Sequence, residues 1–134
     1  MYAAHGDFSV VIQDDIIEVQ LIGMFNHEGT EQYVNKVKAA VAKFDGRPFS
    51  MLIDDLKMEG GTPEAYEILN RYNTWLNNQN LVAKALIIDS EVKKFIILDR
   101  TPALKNQNAR FFKSRSKAIA WLRDEMMRIP FKER

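Results

Sequence analysis

The sequence predicts an α/β domain in which helices pack on a mixed β-sheet of about four to five strands. Two segments with strand-like alternation come first, and helical and strand-like segments then alternate along the chain. Elements in this order fold as layers, and right-handed crossovers place helices on both faces of the sheet. No internal repeat or linker interrupts the order, so residues 1–134 are predicted to form a single domain.

The strands are predicted from period-2 alternation and from short apolar runs. Ile17, Val19 and Leu21 alternate with polar residues, as in a strand with one buried face. Residues 85–88 are apolar without a break, which is typical of a strand covered on both faces. An Asp-Asp pair suits a hairpin turn after the first strand, and Gly23 is predicted to end the second. Strands are therefore predicted over residues 8–13, 16–22, 49–53, 81–89 and 109–112.

The helices are predicted from apolar residues at helical spacing and from capping residues. Asn26 and Thr62 are each placed to cap a helix, and Pro63 occupies a first helical position where its missing N–H costs nothing. Residues 91–98 fit either a helix or a strand, and their spacing favours a helix. Helices are predicted over residues 28–44, 62–78 and 91–98 and from a cap at 114 or 116 to 128, followed by a loose tail at 131–134.

The composition excludes several classes of protein. With 46% apolar and 28% charged residues, the chain is neither disordered nor low in complexity. It has no cysteine, which excludes disulfides, thiolate metal sites and thiol nucleophiles. We find no signal peptide, and no apolar run approaches the roughly 20 residues of a spanning helix. A cytoplasmic protein without a membrane span is therefore predicted.

The net charge of +1 conceals an uneven distribution along the chain. Residues 1–90 carry 7 basic and 13 acidic side chains, whereas residues 91–134 carry 12 basic and 5 acidic ones. The two parts could attract each other, pair with a second copy or present a basic face to an anionic partner. A solvated lysine-rich face is the simplest interpretation. Nucleic acid is not expected as a partner, because Phe111 and Phe112 would point to opposite faces of a strand.

No group of residues forms a recognisable catalytic or metal-binding motif. The histidines, His5 and His27, lie on separate segments without a partner at ligand spacing. Asp54 and Asp55 are consecutive on a strand, so their side chains diverge. The glycine pair before Thr62 lacks the lysine of a phosphate-binding loop. We therefore predict no enzymatic activity, no metal and no cofactor.

Four segments carry a resemblance to a known group of proteins. They are the end of the hairpin at residues 21–23, the strands at 49–54 and 85–88, and the aromatic strand with its serine-capped helix at 111–122. Over nearly its whole length the chain resembles the SpoIIAA-like group, which shares its fold with STAS domains. The resemblance implies a non-enzymatic switch module that binds a partner protein. Some members are controlled by phosphorylation at the start of the helix after the third strand, where Thr62 is the nearest hydroxyl here. The Asp-Ser motif of the antagonists is missing at that point, and we interpret Thr62 as a helix cap.

Two functions are predicted from these observations. The first is a regulatory or interaction module of the anti-sigma-factor-antagonist type, with partner-binding residues at one end of the sheet: Asp54, Asp55, Gly60, Gly61 and Thr62. The alternative is a carrier or sensor of a small apolar or anionic ligand. Its cavity would lie between the sheet and the helices and be lined by Tyr72, Trp75 and Phe95. The sequence also leaves open that the chain pairs with a second copy of itself as a homodimer.

Overall fold

The structure is a computed structural model that describes residues 2–130. The strands are β1 (Asp7–Gln13), β2 (Ile16–Phe25), β3 (Phe49–Gly61), β4 (Leu81–Ile87) and β5 (Ala109–Phe112). The helices are α1 (His27–Ala42), α2 (Pro63–Leu76), α3 (Glu91–Arg100) and α4 (Arg115–Met127), and a short 3-10 helix spans Pro102–Asn106. The segment that fits both helix and strand is therefore a helix, as its spacing favours. The predicted tail at residues 131–134 lies outside the described residues.

The strands form one mixed sheet in the order β1-β2-β3-β4-β5. β1 and β2 are antiparallel neighbours joined by a tight turn, and every later pair is parallel. Helices lie on both faces, as the alternating elements predict. α1 and α2 cover one face and α4 the other. The predicted mixed α/β sheet is confirmed.

β2 and β3 are longer than predicted, and the reason is a pair of irregularities in their register. Gly23 does not end β2, which continues to Phe25, where it pairs with Gly61. A polar connection is predicted at residues 57–61 from the sequence, and this is also wrong, because these residues belong to β3, which runs on to the start of α2. One shift lies between Gln20 and Ile22, and the other lies between Gly23 and Met24, opposite Met58 and Gly60. Gly23 and Gly60 have positive φ angles of 82° and 133°, which let the strands keep pairing through this second shift.

The helix caps confirm the capping residues read from the sequence. The Asn26 side chain accepts a hydrogen bond from the Gly29 amide at 2.9 Å. Thr62 Oγ1 accepts one from the Ala65 amide at 3.1 Å. Of the two serines proposed for the last helix, Ser114 is the cap. Each cap satisfies an amide that the first helical turn leaves without a partner.

The core consists of two layers separated by the sheet. The larger layer, beneath α1 and α2, includes Val37, Phe49 and Leu76, all fully or almost fully buried. The smaller layer, beneath α4, includes Ala85 and Leu122. Burying a large apolar side chain contributes about 1.5–3 kcal/mol, so the packing of both layers holds the helices on the sheet. Across residues 2–130, no helix is long and apolar enough to cross a membrane.

Candidate functional site

The two aspartates near the centre of β3 lie on opposite faces of the sheet. Asp54 faces the α4 side, where its Oδ1 accepts the Leu56 amide at 3.0 Å. Asp55 faces the α1 and α2 side, where it is only 3% exposed. The divergence expected for consecutive strand residues is confirmed. It means that the pair cannot act on a single ligand or partner surface.

Asp55 lines a small cavity between the sheet and the helices α1, α2 and α3. The cavity has a volume of about 60 Å³. Its polar lining consists of Asp55, Lys84, Asn73, Thr101 and three tyrosines, Tyr33, Tyr66 and Tyr72. Its apolar lining consists of Leu21, Ile53, Met58, Leu69, Leu86, Ile97 and Leu104. We call this space the charged cavity, because both a carboxyl and an amine line it.

Lys84 brings a buried amine into the charged cavity from β4. Its side chain is held by a hydrogen bond of 2.8 Å from Nζ to Asn73 Oδ1. The amine also lies 5.6 Å from the centroid of the Tyr72 ring. Burial lowers the pKa of Lys84 from 10.5 to about 7, although the nearby charge of Asp55 acts in the opposite direction. An amine with a pKa in this range changes its charge near neutral pH.

Asp55 is the acidic group of the charged cavity, but its carboxyl does not pair with the Lys84 amine. Its Oδ1 is buried and has no hydrogen-bond partner among the described residues. Burial raises the pKa of this carboxyl from 3.8 to about 7, and Asp54 adds to the effect, while the charges of Lys93 and Lys84 oppose it. Within residues 2–130, Asp55 and Lys84 form neither a hydrogen bond nor an ion pair with each other.

Helix α3 covers the charged cavity with one face and presents an apolar surface with another. Lys93 Nζ donates to the backbone oxygen of Asp55 at 2.9 Å, and Ile97 lines the cavity. On the outer side, Val92 and Phe95 are each 69% exposed. Ile96 and Leu56, the residue after Asp55, are also exposed. We call Leu56, Val92, Phe95 and Ile96 the α3 surface.

The three predicted ligand residues do not meet in one place. Tyr72 lines the charged cavity. Trp75 does not line the cavity but stacks on Tyr72, and the centroids of the two rings are 6.4 Å apart. Lys38 Nζ lies 5.1 Å from the centroid of the Trp75 ring. Phe95 points outwards from α3 and does not line the cavity, because it occupies the helix face opposite the sheet.

The predicted partner-binding residues are also divided. Gly60, Gly61 and Thr62 lie together where β3 passes into α2, and the Thr62 hydroxyl is engaged as a cap. Asp55 lies beneath α3 and is not accessible at the surface. Tyr66 links the two regions. It lines the charged cavity, and its hydroxyl would lie 3.7 Å from a Cβ atom added at Gly60.

Asp55 and Tyr72 are the only lining residues of the charged cavity that were predicted as site residues, and the most informative of those missed are Lys84 and Asn73. The available signal was a lysine within the otherwise apolar residues 82–88 of a buried strand. A buried lysine is rare unless a polar group accepts its hydrogen bonds, so its position alone indicates a polar site. Asn73 could not be paired with Lys84 before the packing of α2 on β4 was known.

Comparison with known proteins supports the fold. No protein-family model matches the chain, and no curated protein matches it. An uncharacterised DUF3478-family protein with a SpoIIAA-like fold from Shewanella loihica PV-4 is similar at 18% identity and a TM-score of 0.66, covering 91% of this chain and 97% of that one. An anti-sigma factor antagonist from Mycobacterium paratuberculosis is similar at 17% identity and a TM-score of 0.65, covering 90% and 96%. The anti-sigma factor antagonist SpoIIAA in its unphosphorylated form is similar at 10% identity and a TM-score of 0.58, covering 92% and 100%. The chain therefore has the SpoIIAA-like fold that the sequence resemblance implies.

Proposed function

We propose that this protein is a non-enzymatic regulatory module that binds a partner protein through the α3 surface. The observation that carries the proposal is the exposure of Val92 and Phe95, two large apolar side chains on one turn of α3. Exposed apolar patches of this kind mark interaction sites, and aromatic residues dominate the binding energy of protein interfaces. The fold shared with anti-sigma factor antagonists supports an interaction role by analogy alone.

The strand-end residues Gly60, Gly61 and Thr62 are the second part of the proposed contact surface. Tyr66 lies between Gly60 and the charged cavity, which α3 covers. Asp54 and Asp55 contribute indirectly in this proposal. Asp55 anchors α3 through its backbone oxygen, and the Asp54 side chain accepts a hydrogen bond from the amide of Leu56, a residue of the α3 surface.

The proposal is tested by purifying the tagged protein from its own cells and identifying the proteins that accompany it. The affinity for the identified partner is then measured with Phe95→Asp and with Val11→Asp as the matched control. Val11 is 56% exposed on β1, on the opposite face of the sheet. We expect Phe95→Asp to weaken binding at least tenfold and Val11→Asp to leave it unchanged. Equal affinities of both variants and the wild type would contradict the proposal.

A second candidate function is the carriage or sensing of a small ligand. The observation that favours it is the charged cavity, which has a buried amine and a buried carboxyl, one oxygen of which has no hydrogen-bond partner in the described chain. Native mass spectrometry of protein isolated from its own cells tests this candidate. An added mass that disappears on denaturation supports it, and a bare chain mass counts against it.

A further inference from the structure

We infer that the charged cavity binds the carboxylate of a small monocarboxylic acid, with Lys84 donating to one oxygen and protonated Asp55 donating to the other. This inference rests on the second candidate function and names its ligand class. Binding would require one proton at Asp55 and one positive charge at Lys84. The bound group would then neutralise the charge of Lys84, and no net charge would stay buried at these three groups.

The unused hydrogen-bonding capacity of the cavity points to such a ligand. A lysine ammonium has three donors, and Asn73 Oδ1 takes one of them at 2.8 Å. Asp55 Oδ1 is buried without a partner in the described chain. Burying a polar group without a hydrogen-bond partner costs free energy of folding. A ligand that forms hydrogen bonds with both side chains would remove that cost. A carboxylate has two oxygens in a fixed fork and accepts from two converging donors.

The charges around Asp55 favour an anion over a cation. The titratable groups around it are Lys84 on β4, Tyr33 on α1, Tyr66 and Tyr72 on α2 and Lys93 on α3, and Asp54 lies beside it on the other face of β3. The tyrosines are neutral at neutral pH, because the ordinary pKa of the phenol is about 10 and burial raises it further for each one. Once Asp55 is protonated, the cations outnumber the anions in this group. The raised pKa of Asp55, about 7, makes its protonated form accessible at neutral pH.

The size of the cavity limits what it can hold in this conformation. Its volume of about 60 Å³ is roughly twice the share of one water molecule in the liquid and well below the roughly 150 Å³ of a cavity that takes benzene. A carboxylate with a short substituent fits this range, whereas an aromatic ring does not. Acetate is therefore the probe, and acetamide is its neutral control of the same shape.

The experiment is an NMR titration of the protein with acetate and with acetamide at several pH values between about 6 and 9. We expect saturable shifts centred on the amides of Lys84 and Asn73, with acetate bound at least tenfold more tightly than acetamide. Above about pH 7, where Asp55 and Lys84 are both deprotonated in the free protein, the affinity for acetate should fall by more than tenfold and up to a hundredfold per pH unit, because binding takes up one proton at each side chain. No saturable binding of acetate, equal binding of acetamide, or an affinity independent of pH would overturn the inference.

Three variants assign the effect to individual side chains. Lys84→Met should abolish acetate binding, and Lys94→Met should keep it, because Lys94 lies over the Phe111 ring outside the cavity. Asp55→Asn keeps a donor without a titratable proton, so the variant takes up one proton, at Lys84, and its affinity for acetate should fall by no more than tenfold per pH unit. Circular dichroism checks that each variant is folded. If Lys84→Met does not fold, the wild-type pH dependence and the acetamide comparison still decide the question.

Failure of this inference can be told apart from failure of the ligand-carrier function. A co-purified molecule without a carboxyl group, together with no acetate binding, would refute the carboxylate assignment and leave the carrier function standing. A bare chain mass together with no acetate binding would refute both.

Discussion

The buried carboxyl of Asp55 gives the protein a stability that depends on pH in a direction the structure determines. Its pKa is raised from 3.8 to about 7, mainly because burial disfavours the charged form. As the pH rises through this interval, the unfolded chain releases the proton while the folded protein keeps it. The folded state then binds more protons, so the free energy of unfolding falls with rising pH.

The magnitude follows from the same two pKa values. One pH unit corresponds to about 1.4 kcal/mol of differential stability, so the interval from 3.8 to about 7 corresponds to about 4 kcal/mol. The contribution of Asp55 is most favourable below pH 3.8 and is lost as the pH approaches 7. Asp55→Asn replaces the carboxyl with a neutral group of the same shape. We therefore expect this variant to match the wild type near pH 4 and to exceed its stability by up to about 4 kcal/mol near pH 8.

Urea unfolding followed by tryptophan fluorescence at pH 4, 6 and 8 measures this difference, with Trp75 and Trp121 as the reporters. Asp54→Asn is the matched control, because it removes a carboxyl from the neighbouring position on the other face of the sheet. The control should show a much smaller gain with rising pH, because it removes only the contribution of the Asp54 charge to the raised pKa of Asp55 and leaves the effect of burial. If Asp55→Asn is no more stable than the wild type at pH 8, or is less stable, the carboxylate is stabilised where it lies and our account of the charged cavity is wrong.

Three further predictions concern the fold, and each is measured by urea unfolding. Thr62→Ala should cost about 1 kcal/mol because the Ala65 amide loses its cap, while Thr62→Ser should cost much less; equal losses would mean that the hydroxyl is not what matters. Leu122→Ala should cost about 2–5 kcal/mol because the side chain is fully buried between α4 and the sheet, and a loss below 1 kcal/mol would contradict this packing. Gly29→Ala should destabilise the protein, because the new Cβ would meet the His5 carbonyl oxygen and displace the N-terminal segment. The Asn26 amide would then lose its hydrogen bond to that oxygen and exchange its hydrogen faster, and unchanged exchange would contradict the contact.

Most elements could be predicted from the sequence because local chemistry determines them. Asn26, Thr62 and Ser114 cap helices with their own side chains, and the signal lies within four residues of each. The extra length of β2 and β3 could not be read in this way. Their continuation depends on two register shifts, one at Leu21 and one between Gly23 and Met24, and a glycine is equally consistent with the end of a strand.

The candidate site was predicted only in part, because it depends on contacts between distant segments. Asp55 and Tyr72 were identified as site residues, but their common cavity arises from the packing of α2 on the sheet. Lys84 joins them because β4 lies beside β3 in the sheet order. The outward orientation of Phe95 follows from which face of α3 meets Asp55, and helical spacing alone does not determine that face.

Photo-crosslinking in the protein's own cells tests the proposed partner-binding function most directly. A photoreactive phenylalanine analogue is placed at position 95 on the α3 surface and, as a control, at position 11 on β1. We expect one dominant adduct with a second protein from position 95, absent from position 11 and weakened by Val92→Asp in the same chain. The same adducts from both positions, or none from position 95, would contradict the proposal that the α3 surface binds a partner.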